Sequence, residues 1–209
     1  KSKNIHVPSD LSSSAFFIIA ALINKRSKIN LNNININPTR DGILKALKKP
    51  SRSIYLGNSG TSARLLTGLL ASQTFESILE GDKSLSSRPM TRIMDPLKLM
   101  GAEFGNISGT LPLKIIGKKL NKSKIEIEIP SAQIKSGLIL ASLNIDGVSH
   151  IIEKNITRDH TENMLKSFGA NINIEKKNNQ TFIKIKGKEE LKSNNIYVPS
   201  DLSSSAFFI

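Results

Sequence analysis

Apolar and polar positions along the chain follow one plan that is written four times. A short strand-like stretch runs into a Pro or Gly turn rich in small polar residues, and the turn opens an apolar helix. The four copies are IHVPSDLSSSAFFIIAALI from Ile5, IYLGNSGTSARLLTGLLAS from Ile54, IEIPSAQIKSGLILASLNI from Ile127 and IYVPSDLSSSAFFI from Ile196. Each of the first three is followed by an alternating strand (KINLNNI, ESILEGD, SHIIEKN) and a second helix (TRDGILKALKK, RPMTRIMDPLKLMGA, TRDHTENMLKSFGA). Two units then close with a strand pair that includes LPLKIIGKK or TFIKIKGKE. In the first unit that pair is missing: Lys49 runs through Pro50 straight into the second unit, as a deletion or splice would leave it. The repeating unit is therefore strand, helix, strand, helix, strand, strand, with a period of about 70 residues.

The two kinds of helix predict different surroundings. The first is apolar nearly all round, as from Ala15 to Ile23, and is expected to be buried on every side. The second is one-sided, with Ile43, Leu44 and Leu47 set against Lys45, Lys48 and Lys49. Three such units can bury their apolar helices against one another and turn their sheets outward. This predicts an α/β fold, an inside-out α/β domain of βαβαββ repeats with pseudo-threefold symmetry.

No Pro/Gly/Ser linker or charge block divides the chain. Residues 1–191 are expected to form one domain of units at about 1–50, 51–121 and 122–191, and residues 192–209 to begin a further, truncated repeat. Lys1 to Ile18 and Lys192 to Ile209 differ only at Lys3 against Asn194 and His6 against Tyr197, so two copies compete for one slot. The displaced copy would expose Leu202, Phe207 and Phe208, a route to domain swapping. The chain starts without Met and stops inside an apolar run, and it reads as cut at both ends.

Composition narrows the classes. Cysteine is absent, which excludes disulfides, thiolate metal sites and a cysteine nucleophile. The run from Ala15 to Ile23 is about half the length a membrane span needs, so no membrane association is expected and cytoplasmic residence is the default. Thirty Lys and Arg against 17 Asp and Glu give a net charge of +13, which favours anionic partners. An AT-rich coding bias toward Lys, Asn and Ile would supply part of that excess on its own.

The candidate chemistry sits at the turns. In LGNSGTSAR, Gly57 and Gly60 allow a tight turn, and Ser59 to Ser62 bring amides and hydroxyls to a helix start. Such a start binds phosphate or carboxylate. It lacks the GK[ST] of a Walker A loop, and a plain N-cap by Ser59 or Thr61 is the bland alternative. The turns at Ser9 to Ser14 and Ser131 to Ser136 are its counterparts. Gln133 and Lys135 lie on an otherwise apolar element, where unpaired polar groups are costly, and a ligand is one partner that would satisfy them. The second-helix starts of the three units each carry an arginine, Arg40, Arg88 and Arg158, and their two-pronged donors suit phosphate and carboxylate. Together the turns and arginines predict a rim for a polyanionic ligand. His6, His150 and His160 have no metal-ligand spacing; Asp10 and Asp201 read as turn caps, and Glu126 and Glu128 alternate along a strand.

The segments LGNSGTSARLL, GDKSLSSRPM, IPSAQIKSGLILASL and TRDHTENML resemble the 5-enolpyruvylshikimate 3-phosphate synthase family. VPSDLSSSAFF and NPTRDGILKAL resemble a part of that family normally found after the TRDHTE region. The resemblance implies two inside-out α/β domains closing on ligands. It also implies transfer of the enolpyruvyl group of phosphoenolpyruvate to shikimate 3-phosphate without cofactor or metal. By matching position, Asn58, Gly60, Thr61, Arg88 and Gln133 are expected at phosphoenolpyruvate. Ser131, Ala132, Gln133, Thr157 and Arg158 are expected at shikimate 3-phosphate, and Asp10 and Arg40 at supporting positions.

The departures are the family's opening GDKS...HR segment, its later proton-moving Asp and Glu, and its C-terminal arginines and lysine. GDKS does occur at Gly81 to Ser84, but at a different point of the repeat. This chain therefore resembles one ligand-binding half, and it is expected to turn over negligibly alone. A related enolpyruvyl transferase acting on UDP-N-acetylglucosamine shares the fold but usually employs a cysteine. A basic nucleic-acid-binding module is the alternative from another class. Two Tyr and no Trp leave it few stacking platforms, and no nucleic-acid partner is expected.

Overall fold

Leucine, isoleucine and small residues fill the first helix of each repeat, and in the computed structural model the two such helices among the described residues, Gly60–Ala71 and Ala132–Ser142, are buried in the core. The structure describes residues 53–105 and 108–191, together with the strands β1 (Ser9–Asp10) and β2 (Ile34–Asn35). The expected helix from Ala15 to Ile23, Arg40 and the duplicated segments apart from β1 lie outside the described residues. The second unit runs β3 (Ile54–Tyr55), α1 (Gly60–Ala71), β4 (Glu76–Glu80), α2 (Lys83–Ser86), α3 (Thr91–Leu99), β5 (Glu103–Phe104) and β6 (Leu113–Ile116). The third runs β7 (Lys124–Ile127), α4 (Ala132–Ser142), β8 (Val148–Glu153), α5 (His160–Ser167), β9 (Ile172–Lys177) and β10 (Gln180–Lys186).

The two units have one topology. Their sheets are ordered β3-β4-β6-β5 and β7-β8-β10-β9. In each, the first two strands are parallel, Ile54 facing Leu79 and Ile125 facing Ile151. The remaining pairs are antiparallel, with Ser77 opposite Ile115 and Ser149 opposite Ile185. Ser9 also pairs in parallel with Ile34, the same kind of first pairing. Two local expectations shift. β7 ends rather than begins at Ile127, leaving Ile129 exposed in the turn. Asp10, read from sequence as a turn cap, belongs to β1.

Strand alternation sends one face inward, as in β10, where Thr181, Ile183 and Ile185 are buried between exposed Phe182, Lys184 and Lys186. Helices α1 and α4 lie beneath the sheets, with Ala63, Leu65, Leu66, Leu138, Ile139 and Leu140 fully inaccessible. Three buried hydroxyls on these helices are satisfied by their own backbone. Thr67 donates to the carbonyl of Ala63 at 2.7 Å, Ser136 to that of Ala132 at 2.7 Å and Ser142 to that of Leu138 at 2.8 Å.

Glycine sets how closely the two helices approach. A Cβ on Gly68 would stand 2.0 Å from the carbonyl oxygen of Gly137, and one on Gly137 would stand 2.8 Å from that of Arg64. The helices run side by side in the same direction. Gln133 donates to Thr61 at their N-terminal ends and Asn144 donates to Ser72 at their C-terminal ends, both at 2.9 Å and both 72 positions apart. Parallel packing of two equivalent helices brings both N-termini to one end of the molecule.

Candidate functional site

Each of those N-termini is capped by its own turn. Ser59 Oγ accepts from the backbone N–H of Ser62 at 3.3 Å, and Ser131 Oγ accepts from that of Ile134 at 3.4 Å. Ser59 is thus a helix cap as well as part of the cavity wall, and Thr61, the other cap candidate, instead accepts the Gln133 amide. The remaining first-turn amides carry the positive end of the helix dipole toward solvent.

Between the two helix starts lies an open cavity of about 370 Å³, a size that suits a small metabolite. It is lined by Asn58, Ser59, Gly60, Thr61, Arg64, Arg88, Arg92, Ser131, Gln133 and Ile134. Among the described residues that line it there are three guanidinium groups and no carboxylate. Arg88 donates through Nη2 to Asn58 Oδ1 and, at 3.3 Å, to Ser84 Oγ. Ser84 sits on α2, which Asp82 caps by accepting from the Leu85 N–H at 2.7 Å. The GDKS sequence at Gly81 to Ser84 therefore builds the short helix that steadies Arg88.

Arg64 donates to the carbonyls of Gly60 at 3.1 Å and Pro89 at 3.3 Å. Burial, and then the like charges of Arg88 and Arg92, hold its guanidinium below the ordinary arginine range. Three like charges converging on a cavity repel one another until an anion lies between them. Gly60 matters to the same geometry, since a Cβ there would stand 2.9 Å from Arg64 Nη1 and 3.2 Å from Arg88 Nη1.

All five residues expected at phosphoenolpyruvate line this one cavity, joined by Ser131 from the shikimate 3-phosphate set. Ala132 follows Ser131 as the first residue of α4. Thr157 and Arg158 are not among the lining residues; they lie between β8 and α5, with Thr157 half-buried and Arg158 exposed. His160, the first residue of α5, is exposed, and Asp159 pairs with Lys176 at 3.1 Å.

One expectation is overturned. Lys135 does not await a ligand, because its Nζ lies 3.0 Å from Glu153 Oε2 and 2.9 Å from Glu162 Oε1, with all three side chains at most 1% exposed. Glu153 and Glu162 escaped the sequence reading because their partner stands on a separate element. Arg64 and Arg92 also escaped it, although a signal existed. Arg64 follows Gly60 by four positions, one turn along the same helix face, and Arg92 stands one residue into the helix that the segment of Arg88 opens.

Comparison with known proteins bears on this arrangement. The family model described as EPSP synthase (3-phosphoshikimate 1-carboxyvinyltransferase) matches residues 1–53 and 45–209. These two stretches meet where the repeat is broken near Lys49 and Pro50. A 3-phosphoshikimate 1-carboxyvinyltransferase of Lactiplantibacillus plantarum is 47% identical over 166 residues, covering 79% of this chain and 38% of the relative. One from Ruthia magnifica is 47% identical over 183 residues, covering 87% and 41%. The solved EPSP synthase of Acinetobacter baumannii superposes with a TM-score of 0.82 at 36% identity, covering 98% of this chain and 51% of that one. The chain thus spans well under half the length of these two curated relatives.

Proposed function

The chain belongs to the EPSP synthase family, and on that premise we propose that it forms a ligand-binding half of an enolpyruvyl transferase. The reaction is transfer of the enolpyruvyl group of phosphoenolpyruvate to the 5-hydroxyl of shikimate 3-phosphate with release of phosphate, on the route to chorismate and the aromatic amino acids. One observation carries the reading. Thr61, Arg88 and Gln133, from two different units, meet over a single cavity whose charged lining is cationic.

Phosphoenolpyruvate carries a phosphate and a carboxylate, and Asn58, Gly60, Thr61, Arg88 and Gln133 are assigned to hold it; that all five line one cavity together with Arg64 and Arg92 supports this. Ser131, Ala132, Gln133, Thr157 and Arg158 are assigned to shikimate 3-phosphate. Addition of its hydroxyl across the enolpyruvyl double bond, oxygen to C2 and a proton to C3, gives a tetrahedral intermediate, and breaking the C2–O bond to phosphate with loss of a C3 proton restores the double bond as the enol ether. Anion binding by arginines and helix starts orients both substrates and favours the charge that develops on departing phosphate. Proton transfer needs groups of another kind, and no carboxylate lines the cavity among the described residues.

This chain alone is accordingly assigned binding with negligible turnover. We further assign residues 1–191 to one domain, residues 192–209 to the start of another repeat able to swap between copies, and the protein to the cytoplasm. Among the described residues no helix is long and apolar enough to cross a membrane.

The test is calorimetric titration of the 209-residue chain with phosphoenolpyruvate, run beside a phosphate-release assay with both substrates. Saturable binding that weakens about tenfold in Arg88→Ala, with negligible phosphate release, is expected. Equal binding by wild type and Arg88→Ala would overturn the site, and steady turnover would overturn the assignment of binding without catalysis.

A further inference from the structure

A buried charged cluster lies behind the cavity, outside its lining. Lys135 Nζ holds Glu153 and Glu162 at 3.0 and 2.9 Å and reaches the carbonyl oxygen of Thr157 at 3.5 Å. The Thr157 hydroxyl donates to the second oxygen of Glu153, Oε1. Beside it, Thr161 donates to Ser136 Oγ at 2.7 Å, tying α5 to α4 through a second polar contact. Apolar side chains of similar volume would bind these elements together without the cost of desolvating three charges. What the charged set adds is direction, because hydrogen bonds and ion pairs fix one relative placement where apolar contacts tolerate several.

The members come from the segments that the shikimate 3-phosphate assignment needs to bring together. Lys135 stands two residues beyond Gln133 on α4, Glu153 is the last residue of β8, and Glu162 is on the first turn of α5. Thr157 and Arg158 lie in the connection that Glu153 begins. Neither Glu153 nor Lys135 lines the cavity, so neither is placed to touch ligand there. We propose that Glu153 is a positioning residue: by accepting the Thr157 hydroxyl while anchored to Lys135, it sets Thr157 and Arg158 in register with Ser131 to Gln133, so that both segments address one ligand. This rests on the shikimate 3-phosphate assignment made above.

The test uses the 209-residue chain in two arms. Without ligand, Glu153→Ala is expected to shift the backbone amide resonances of Thr157 and Arg158 while leaving those of Asn58 and Gly60 in place. Glu153→Gln, which keeps an acceptor for Thr157, is expected to restore the wild-type positions. With ligand, Glu153→Ala is expected to weaken shikimate 3-phosphate about tenfold and Glu153→Gln less than about threefold, with inorganic phosphate at the arginine cavity unchanged in both.

Unmoved Thr157 and Arg158 amides, or equal loss of both ligands, would overturn the proposal. If the wild type binds no shikimate 3-phosphate, the functional assignment fails, and the ligand-free amide shifts still decide the positioning role. Should Glu153→Ala not fold, Thr157→Val removes the same hydrogen bond without unpairing a charge, and Thr157→Ser keeps it. An Arg158 amide shift in the first and not the second is expected, and its absence counts against the proposal.

Discussion

At Gly60 the backbone passes so close to Arg64 and Arg88 that one methyl group would stand 2.9 and 3.2 Å from their guanidinium nitrogens. Gly60→Ala is therefore expected to displace both arginines and weaken phosphate binding about tenfold, with little change in thermal midpoint because alanine suits a helix start. Titration beside calorimetric melting checks this, and unchanged affinity would contradict it. The buried cluster makes a different prediction. Lys135→Met leaves two inaccessible carboxylates without a counter-charge and is expected to cost about 3–5 kcal/mol in denaturant unfolding, whereas Glu162→Gln leaves a one-to-one pair and is expected to cost no more than about 1 kcal/mol.

The same carboxyl has a pH signature. Burial pushes Glu162 above its ordinary value of 4.5, with Lys135 opposing that rise. Its contribution to stability is thus complete below pH 4.5 and is lost as pH rises through the folded-state value. Glu162→Gln should flatten that part of the stability profile, and an identical slope in the variant would refute the assignment. Gly60 was legible because a glycine turn opening an apolar helix leaves a local mark, Arg88 because an arginine recurs at the second-helix starts, and Gln133 because it is polar on an otherwise apolar element. Glu153 and Glu162 were not, because their pairing with Lys135 is made by three elements meeting in space.

Helices α1 and α4 were legible as elements from their all-round apolarity, and the strands from their alternation. The exceptions are boundary shifts at β7, α3 and α5 and the short helix α2, which the pattern did not predict. The repeat pattern predicts a helix over TRDHTENMLKSFGA from Thr157, but α5 starts at His160. Two hydrogen bonds at Thr157, its carbonyl accepting from Lys135 Nζ and its hydroxyl donating to Glu153, hold that stretch outside the helix. What periodicity could not reveal is the side-by-side parallel contact, which depends on Gly68 meeting Gly137 backbone to backbone. Gly68→Ala must push the helices apart, since its Cβ would fall 2.0 Å from a carbonyl oxygen. It is expected to destabilise by about 3 kcal/mol and, by parting Thr61 from Gln133, to weaken phosphate binding as well. Wild-type stability and affinity in this variant would contradict the packing described.

Across the whole molecule, two described units repeat one topology, and the repetition is what places two helix starts at one end, where arginines contributed by α1, α3 and the turn before α3 line the same cavity. The net charge of +13 adds a long-range field to that local arrangement. Phosphate affinity should therefore fall as ionic strength rises from about 0.05 to about 0.5 M, while the buried Lys135 cluster, shielded from salt, should keep its contribution to stability. Repetition of the unit and the inward turn of its apolar helices were readable along the chain, but the register in which α1 meets α4 was not, because that depends on the glycine contact and on side-chain bridges 72 positions apart.

The most direct test is a calorimetric titration of the 209-residue chain with shikimate 3-phosphate, comparing wild type, Gln133→Ala and Arg158→Ala. Saturable binding by the wild type, weakened about tenfold in each variant, is the predicted result. Indistinguishable behaviour of the three proteins would contradict the claim that these two units build a working recognition site.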